Sequence, residues 1–148
     1  MSLLENKKAY FNYQIEEKLE AGLQLLGLEV KSLRAGQGSL EGSYVIVRGG
    51  EAYLVGSTIP AYQVGNTPAS YDPARSRKLL MTKEEIAKLA GLESRKGLTV
   101  VPLKVYNKGN KLKLEVGIAR GKKKHDKRRT LEKRDANREM ERSLKTGT

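Results

Sequence analysis

Apolar and polar side chains alternate most clearly between residues 13 and 25. Glutamates, glutamines and a lysine occupy the intervening positions, and Glu17 breaks the alternation. A period of two indicates a long, half-buried strand, which we expect to bend at Gly22. The apolar positions that share one parity, and that the pattern therefore places on one face, are Tyr13, Ile15, Leu19, Ala21, Leu23 and Leu25.

Four further segments have the pattern of strands. Residues 43–47 and 51–55 flank an Arg-Gly-Gly turn, in which the glycines supply the positive φ that a primed hairpin turn needs. Residues 99–106 are rich in β-prone side chains, and Pro102 places this strand at a sheet edge or at a bulge. Residues 112–118 alternate strictly between apolar and polar or small side chains, which predicts a last strand.

Two short helices are predicted between these strands. Residues 29–35 change to a helical spacing of apolar residues, and Gly36 is a suitable stop. Thr82 and Glu85 form a capping box at the start of a second helix, which we expect to end at Gly91.

About five strands and two short helices, without a strand–helix–strand rhythm, predict a mainly β fold. A small antiparallel β-barrel of the oligonucleotide-binding type, with two or three short helices, suits this pattern because closure removes exposed strand edges. We expect residues 1–120 to form this domain and residues 121–148 to form a basic C-terminal tail.

Charge is concentrated in that tail. The formal net charge is +12, and residues 120–148 hold 12 of the 29 basic residues against 5 of the 17 acidic ones. A segment with so few apolar residues cannot offset its own ordering entropy. We therefore expect the tail to be disordered, or to be helical when a polyanionic partner folds it.

The composition argues against several functional classes. The absence of cysteine and the single histidine, His125, argue against disulfides, thiolate metal sites and a histidine-rich metal site, so we expect neither metal nor cofactor. The glycine-rich residues 36–42 follow a helix and precede a strand, the reverse of a dinucleotide fingerprint. No catalytic constellation is found, so we expect no enzyme. No apolar run suits a membrane span and no secretory pattern opens the chain, which favours a cytoplasmic protein.

Basic side chains from separate segments suggest a nucleic-acid partner. If they converge on one side of a small barrel, they form a positive face that tracks phosphates. The alternative, scattered solubilising charge, stays open on composition alone. The residues concerned are Lys31, Arg34, Arg75, Arg77, Lys78, Lys113 and the run from Arg120 to Lys124.

Several sequence blocks resemble those of a known family. In chain order they are Asn6-Lys7-Lys8-Ala9, Glu20-Ala21-Gly22, the EVKSLRAG block of residues 29–36, the DPARSRKLL block of residues 72–80, and the ARGKKKHDKR block of residues 119–128. Their order and spread over nearly the whole chain resemble the SsrA-binding protein (SmpB) family.

The resemblance implies an oligonucleotide-binding-type barrel that binds the tRNA-like domain of transfer-messenger RNA (tmRNA). Such a protein acts with elongation factor Tu, indirectly through the charged RNA, and delivers that RNA to stalled ribosomes. Trans-translation then tags the nascent chain and releases the ribosome. The implied partners are the RNA and the decoding centre and mRNA channel of the ribosome, and the implied protein is monomeric and not bound to a membrane.

The resemblance also implies which residues take part. Asn6, Glu20 and Leu80 match positions that hold the RNA, although Leu80 is equally suited to a core. The full predicted RNA-binding set is Asn6, Lys7, Glu20, Lys31, Arg34, Arg77, Lys78, Leu80, Lys113, Arg120, Lys122 and Lys123. The tail residues expected to contact the ribosome in the empty channel are Lys124, His125, Asp126, Lys127, Arg128, Arg129, Lys133, Arg134 and Met140.

Two functions of other classes are alternatives. A general RNA chaperone carries exposed stacking aromatics on its strands, for which Tyr44 and Tyr53 are the candidates. A ribosome-associated structural protein with a basic arm binds ribosomes without tmRNA. A small RNA-modifying enzyme is a more distant alternative, because no cofactor motif is present.

Overall fold

The computed structural model describes residues 2–63, 65, 67–92, 95 and 97–122. Within these residues the chain forms seven strands and three helices. The strands form one antiparallel sheet in the order β1-β6-β7-β2-β5-β4-β3. In chain order the elements are β1 (Ser2–Glu5), α1 (Lys7–Asn12), β2 (Tyr13–Leu23), α2 (Gly27–Arg34), β3 (Tyr44–Arg48), β4 (Glu51–Val55), β5 (Arg77–Leu80), α3 (Lys83–Leu92), β6 (Leu98–Lys108) and β7 (Lys111–Gly121).

The mainly β, antiparallel architecture predicted from the sequence is confirmed, although the barrel is not closed. Strands β1 and β3 lie at the two edges of the sheet. The sheet curves until β3 contacts β6, and α3 contacts both of these strands. Leu89 and Leu92 of α3 are buried in the main core. Helix α3 therefore covers the gap between β3 and β6, where hydrogen bonds between strands would close a complete barrel.

Local sequence signals explain most of the elements. Gly49 and Gly50 have φ values of 59° and 75° and form the predicted turn between β3 and β4. The capping box of α3 is present, because the Thr82 hydroxyl accepts from the Glu85 amide at 3.2 Å and Glu85 accepts from the Thr82 amide at 3.0 Å. The pairing of β6 with β7 shifts register between Pro102 and Lys104, so the proline marks a bulge as predicted.

A bulge in β2 corrects the predicted single apolar face. The pairing of β2 with β7 shifts register between Ile15 and Glu17, where Ile15 lies opposite Ala119 and Leu19 opposite Val116. Ala119 and Val116 are an odd number of residues apart and point to opposite faces. Ile15 therefore packs in a small outer cluster, whereas Leu19 packs against the main core. One extra residue in a strand exchanges the two faces.

Two apolar clusters lie on the two faces of the sheet. The main core fills the concave side, with Leu54, Leu79 and Leu114 among its buried members. A smaller cluster on the outer side joins Ala9 of α1 to residues of β6 and β7 such as Leu103. Helix α1 covers this part of the outer face and leaves the rest of that face to polar residues.

Strands β1 and β5 and helix α1 are additional to the elements predicted from the sequence. Two predicted helix limits were wrong, because α2 begins at Gly27 rather than Glu29 and α3 continues through Gly91 to Leu92. None of the helices in the described ranges combines the length and the apolar character required to cross a membrane.

Candidate nucleic-acid interface

Side chains from β2, β5 and β7 meet on the outer face of the sheet. Gly22 lies opposite Leu80 on one side and opposite Lys113 on the other. Together with Glu20 and Lys78 these residues line a shallow depression of about 440 Å³, which we call the outer depression. Four residues of the predicted RNA-binding set, from three strands, are thus brought together.

Leu80 is 54% exposed, which distinguishes between the two roles considered for it. Strand β5 alternates, so Leu79 is buried in the core while Leu80 and Lys78 share the outer side. An apolar side chain exposed to this extent beside charged residues is available to contact the flat face of a base or a ribose.

Gly22 shapes the depression by having no side chain. A Cβ atom at this position would lie 3.1 Å from the Cβ atom of Leu80. That separation is too short for ordinary van der Waals contact, so any larger residue would displace Leu80. The glycine therefore leaves space between Leu80 and Lys113.

Glu20 is the acidic member of this surface, and β6 holds it. Its Oε2 atom accepts from the Tyr106 hydroxyl and its Oε1 atom accepts from Lys108 Nζ at 3.0 Å. The hydrogen bonds from Tyr106 and then Lys108 keep the pKa of Glu20 below its ordinary value. The carboxylate is therefore ionised at neutral pH and acts as an acceptor.

Tyr106 and Lys108 were not among the residues predicted to bind RNA. Both follow the two-residue alternation of β6 that also contains Lys104, and Tyr106 lies opposite Lys113 of β7. Strand parity combined with the β6–β7 pairing would have placed them on the outer face. No sequence block singled them out.

The charge of this face is mixed, with cations in excess. Lys78 Nζ lies 3.3 Å from the Glu51 carboxylate, and Glu115 lies between Lys18 and Lys104 at 3.7 and 4.0 Å. These lysines are about half exposed in their side chains. The Lys78–Glu51 pair is exposed on both sides and contributes little to stability, so a phosphate could compete for Lys78 at small cost. The Glu115 side chain is only 20% exposed and its Oε1 atom is buried, so its two pairs are not of this exposed kind.

Asn6 lies beneath the surface. Its side-chain amide donates to the Pro102 carbonyl at 2.9 Å, and its Oδ1 atom accepts from the Ala9 amide at 3.3 Å. The residue is buried, caps the start of α1 and fastens this helix to the bulge of β6. The structure places Asn6 as a support of the outer face and away from the outer depression.

Arg77 was predicted to bind RNA phosphates at the surface, but it lies in the interior and forms a buried ion pair. Its guanidinium is fully buried and donates to Glu29 Oε2 at 2.7 and 2.8 Å. It also donates to Ser57, to the Pro73 carbonyl and to the Tyr71 hydroxyl. The parity of β5 explains this placement, because Arg77 shares the inner side with Leu79.

Glu29 is the centre of the buried network. Besides Arg77, it accepts from Arg75 and from the Leu26 amide at the start of α2. Burial alone would raise the pKa of Glu29, but the hydrogen bonds from Arg75, Leu26 and Arg77 outweigh burial and lower it. Burial and the nearby Glu29 charge raise the pKa of the Tyr71 hydroxyl. The network joins α2, β5 and the loop before β5.

The other predicted RNA-binding residues lie outside the outer depression. Arg34 donates to the Asn110 carbonyl at 3.1 Å in the β6–β7 turn, and Arg120 Nε lies 3.1 Å from Glu16. Lys122 donates to the Tyr10 carbonyl at 2.9 Å, while Lys7 and Lys31 are exposed on α1 and α2. Lys123 and every predicted tail residue lie outside the described residues.

Candidate stacking aromatics are found elsewhere on the sheet. Tyr44 is 46% exposed on the edge strand β3, and Tyr53 is half-buried on β4 opposite Lys78. Strand register places both rings on the outer face, but Tyr53 is half-buried, so the two do not form the row of exposed rings that is typical of single-strand binders. Among the described residues, no group of three or more acidic or histidine side chains is arranged to hold a metal ion.

Comparison with known proteins supplies the family. A family model described as SmpB protein matches residues 3–146. The chain belongs to the SmpB family. Relatives of this SmpB chain include the SsrA-binding proteins of Burkholderia thailandensis and of Burkholderia mallei strain SAVP1, each 47% identical over 148 residues and covered in full by this chain. The family predicted from the sequence blocks is therefore confirmed.

A solved structure supports the same assignment for this SmpB family member. It is described as "tmRNA-SmpB: a journey to the center of the bacterial ribosome" and is 47% identical to this chain. The match has a TM-score of 0.68 and covers 82% of this chain and 85% of the other.

Proposed function

We propose that this chain is the RNA-binding factor of trans-translation, which binds the tRNA-like domain of tmRNA and delivers it to stalled ribosomes. The family match over residues 3–146, together with the solved tmRNA–SmpB relative, carries the proposal. The outer depression supplies a surface of suitable chemistry. The chain acts by binding, in the cytoplasm, as a monomer and without a cofactor.

Three kinds of side chain in the outer depression make different contacts with the RNA. Lys78 and Lys113 attract phosphates, which provides affinity without sequence information. Leu80 offers an apolar contact to a base or a ribose. Glu20 repels phosphates and accepts hydrogen bonds from base N–H groups or 2′-hydroxyls, so it favours one RNA shape over another.

The tail, residues 121–148, supplies the contact with the ribosome. Its charge suits the RNA wall of an empty mRNA channel, and its lack of apolar residues makes ordering dependent on that partner. The outer depression is made by residues that precede it in the chain. RNA selection and detection of the stalled ribosome are therefore assigned to separate segments.

A comparison of the full chain with residues 1–122 tests this assignment. The sheet and both apolar clusters lie within residues 2–122, and circular dichroism would check that the shortened chain folds. We expect both chains to prefer tmRNA to a tRNA and to an unrelated hairpin across a salt series. We expect the full chain alone to support peptide tagging on ribosomes stalled at a truncated message.

Two results would contradict the proposal. Equal affinity of both chains for all three RNAs, with a steep salt dependence, would identify a general RNA binder. Binding to ribosomes that does not require tmRNA, in stoichiometric amounts, would identify a structural ribosome-associated protein instead.

A further inference from the structure

Tyr106 reaches across the whole of strand β7 to meet Glu20. Glu20 on β2 lies opposite Glu115 of β7, whereas Tyr106 on β6 lies opposite Lys113 of β7. The two residues are therefore two strand spacings, about 9–10 Å, apart across the sheet and two residues, about 7 Å, apart along it, with β7 between them. Their hydrogen bond joins β6 to β2 across β7, beside the outer depression.

We propose that Tyr106 is a positioning residue for RNA selection, whose hydroxyl holds the Glu20 carboxylate in place so that its remaining acceptor sites face the RNA. The inference rests on the proposed function, because it takes the outer depression as the RNA-binding surface. It assigns to Tyr106 a role that acts through Glu20.

The surroundings of Tyr106 suit a fixed donor. Its side chain is half-buried, and Lys104 Nζ lies 5.6 Å from the centre of its ring. Burial, followed by the hydrogen bond to Glu20, raises the pKa of the Tyr106 hydroxyl. The hydroxyl therefore keeps its proton throughout the neutral range and always donates to Glu20.

Without the Tyr106 hydroxyl, Glu20 would be held only by the exposed side chain of Lys108 and would be drawn to the other lysines around it. Lys113 and Lys78 line the same depression, and either one would neutralise a mobile carboxylate and be lost to the phosphates. Tyr106 and Lys108 occupy one acceptor site on each Glu20 oxygen. An ionised carboxylate has about four such sites, so about two are left for N–H or 2′-hydroxyl donors of the RNA.

A double-mutant cycle in the full-length chain tests the inference. Tyr106→Phe removes the hydroxyl but keeps the ring beside Lys104, and Glu20→Gln removes the carboxylate charge. The matched control is Tyr44→Phe, because Tyr44 is exposed on the edge strand β3, away from the outer depression. Dissociation constants for tmRNA and for a competing tRNA are measured for each variant, with thermal unfolding to check the fold.

We expect Tyr106→Phe to weaken tmRNA binding about tenfold, because a Glu20 carboxylate that is no longer held in place would lose about one hydrogen bond to the RNA. In the Glu20→Gln background the same change should have a much smaller effect, because the neutral amide oxygen is a weaker acceptor than the carboxylate for both the Tyr106 hydroxyl and the RNA donors. Tyr44→Phe should bind as the unaltered chain does.

The outcomes separate failure of the inference from failure of the proposed surface. Suppose that Glu20→Gln weakens selective binding. The positioning role would then be overturned if Tyr106→Phe lowered tmRNA affinity equally in both backgrounds, or lowered it in neither. If Glu20→Gln leaves both affinity and selectivity unchanged, the outer depression is not the RNA-binding surface, and the inference fails with it.

Discussion

At the scale of single residues, Arg77 and Glu29 form the most demanding contact in the molecule. Both side chains are fully buried, and together they hold α2 against β5. Two charges taken out of water are tolerated only because nearly every donor and acceptor is satisfied. The pair fixes the strand that presents Lys78 and Leu80, although neither partner reaches the surface.

We expect Arg77→Met to destabilise the fold by about 3–5 kcal/mol, because Glu29 would be left buried and incompletely paired. Arg120→Met is the matched control, since Arg120 and Glu16 are about half exposed, and should cost less than about 1 kcal/mol. Urea unfolding measures both free energies. Similar losses in the two variants would contradict the importance assigned to the buried pair.

The pH dependence of stability should report on Glu29. Its folded-state pKa is lowered from the ordinary 4.5, so its contribution is complete above that value and is lost as pH falls through the folded-state pKa. We expect Glu29→Gln to be less stable than the unaltered chain at about pH 6, with a difference that shrinks towards about pH 3. A constant difference in urea unfolding across this range would argue against the assignment.

Gly22→Ala tests the shape of the outer depression. The new Cβ atom would lie 3.1 Å from Leu80 Cβ and push Leu80 aside, so tmRNA binding should weaken about fivefold. Gly27→Ala is the control, because nothing lies within 4 Å of a Cβ atom there. Its RNA affinity should be unchanged. Equal affinities of the two variants, measured by titration with labelled RNA, would show that Leu80 does not need its present position.

Strand parity accounts for what sequence reasoning achieved and missed at this scale. The run Arg75-Ser76-Arg77-Lys78 suggests a uniform basic patch, yet the four-residue strand β5 turns Arg77 inward with Leu79 and Lys78 outward with Leu80. Recognising the strand would have predicted both orientations. Arg77 can be buried because it pairs with the Glu29 carboxylate, which lies 48 residues away in the chain. The pattern of residues around Arg77 therefore does not predict this pairing.

At the scale of elements, the bulge in β2 is the feature that pattern analysis could not anticipate. Tyr13, Ile15 and Leu19 have the same parity, but the extra residue near Glu16 sends Ile15 and Leu19 to opposite faces. In the sequence, the only sign of this bulge was that Glu17 breaks the alternation of apolar and polar residues. The hairpin between β3 and β4 was predictable, because two adjacent glycines supply the positive φ angles that a tight hairpin turn needs.

Helix α1 was missed because it is six residues long and depends on a single cap. We expect Asn6→Ala to cost about 2 kcal/mol, through loss of the cap and of the buried bond to Pro102. Asn6→Ser is the comparison, because a serine hydroxyl keeps a capping oxygen and removes the amide donor without adding a buried charge, and it should have an intermediate stability. Thermal unfolding measures the series.

RNA binding by the same variants tests the role given to Asn6. If Asn6 only supports the fold, tmRNA affinity at a temperature where all variants are folded should change less than twofold. A larger loss of affinity in a folded variant would restore Asn6 to the RNA-binding surface.

At the scale of the whole molecule, fold and family were predictable, whereas the placement of the charge was not. Alternating segments without a strand–helix–strand rhythm left an antiparallel sheet as the main solution, and the blocks from residue 6 to residue 128 identified the family. Lys78 and Lys113 converge with Glu20 and Leu80, while Arg34 and Arg120 engage local partners elsewhere. Which side chains converge depends on the register between strands, and the sequence pattern alone does not give that register.

The end of β7 is tied to the start of the chain. The Lys122 amide donates to the Asn12 carbonyl at 2.9 Å, and the Lys122 side chain donates to the Tyr10 carbonyl. Residue 122 is therefore held in place by the C-terminal half of α1. We expect changes near Tyr10 and Asn12 to release residue 122 while the outer depression keeps its shape, so the proposed RNA binding and the proposed contact with the ribosome can be lost separately in one small protein.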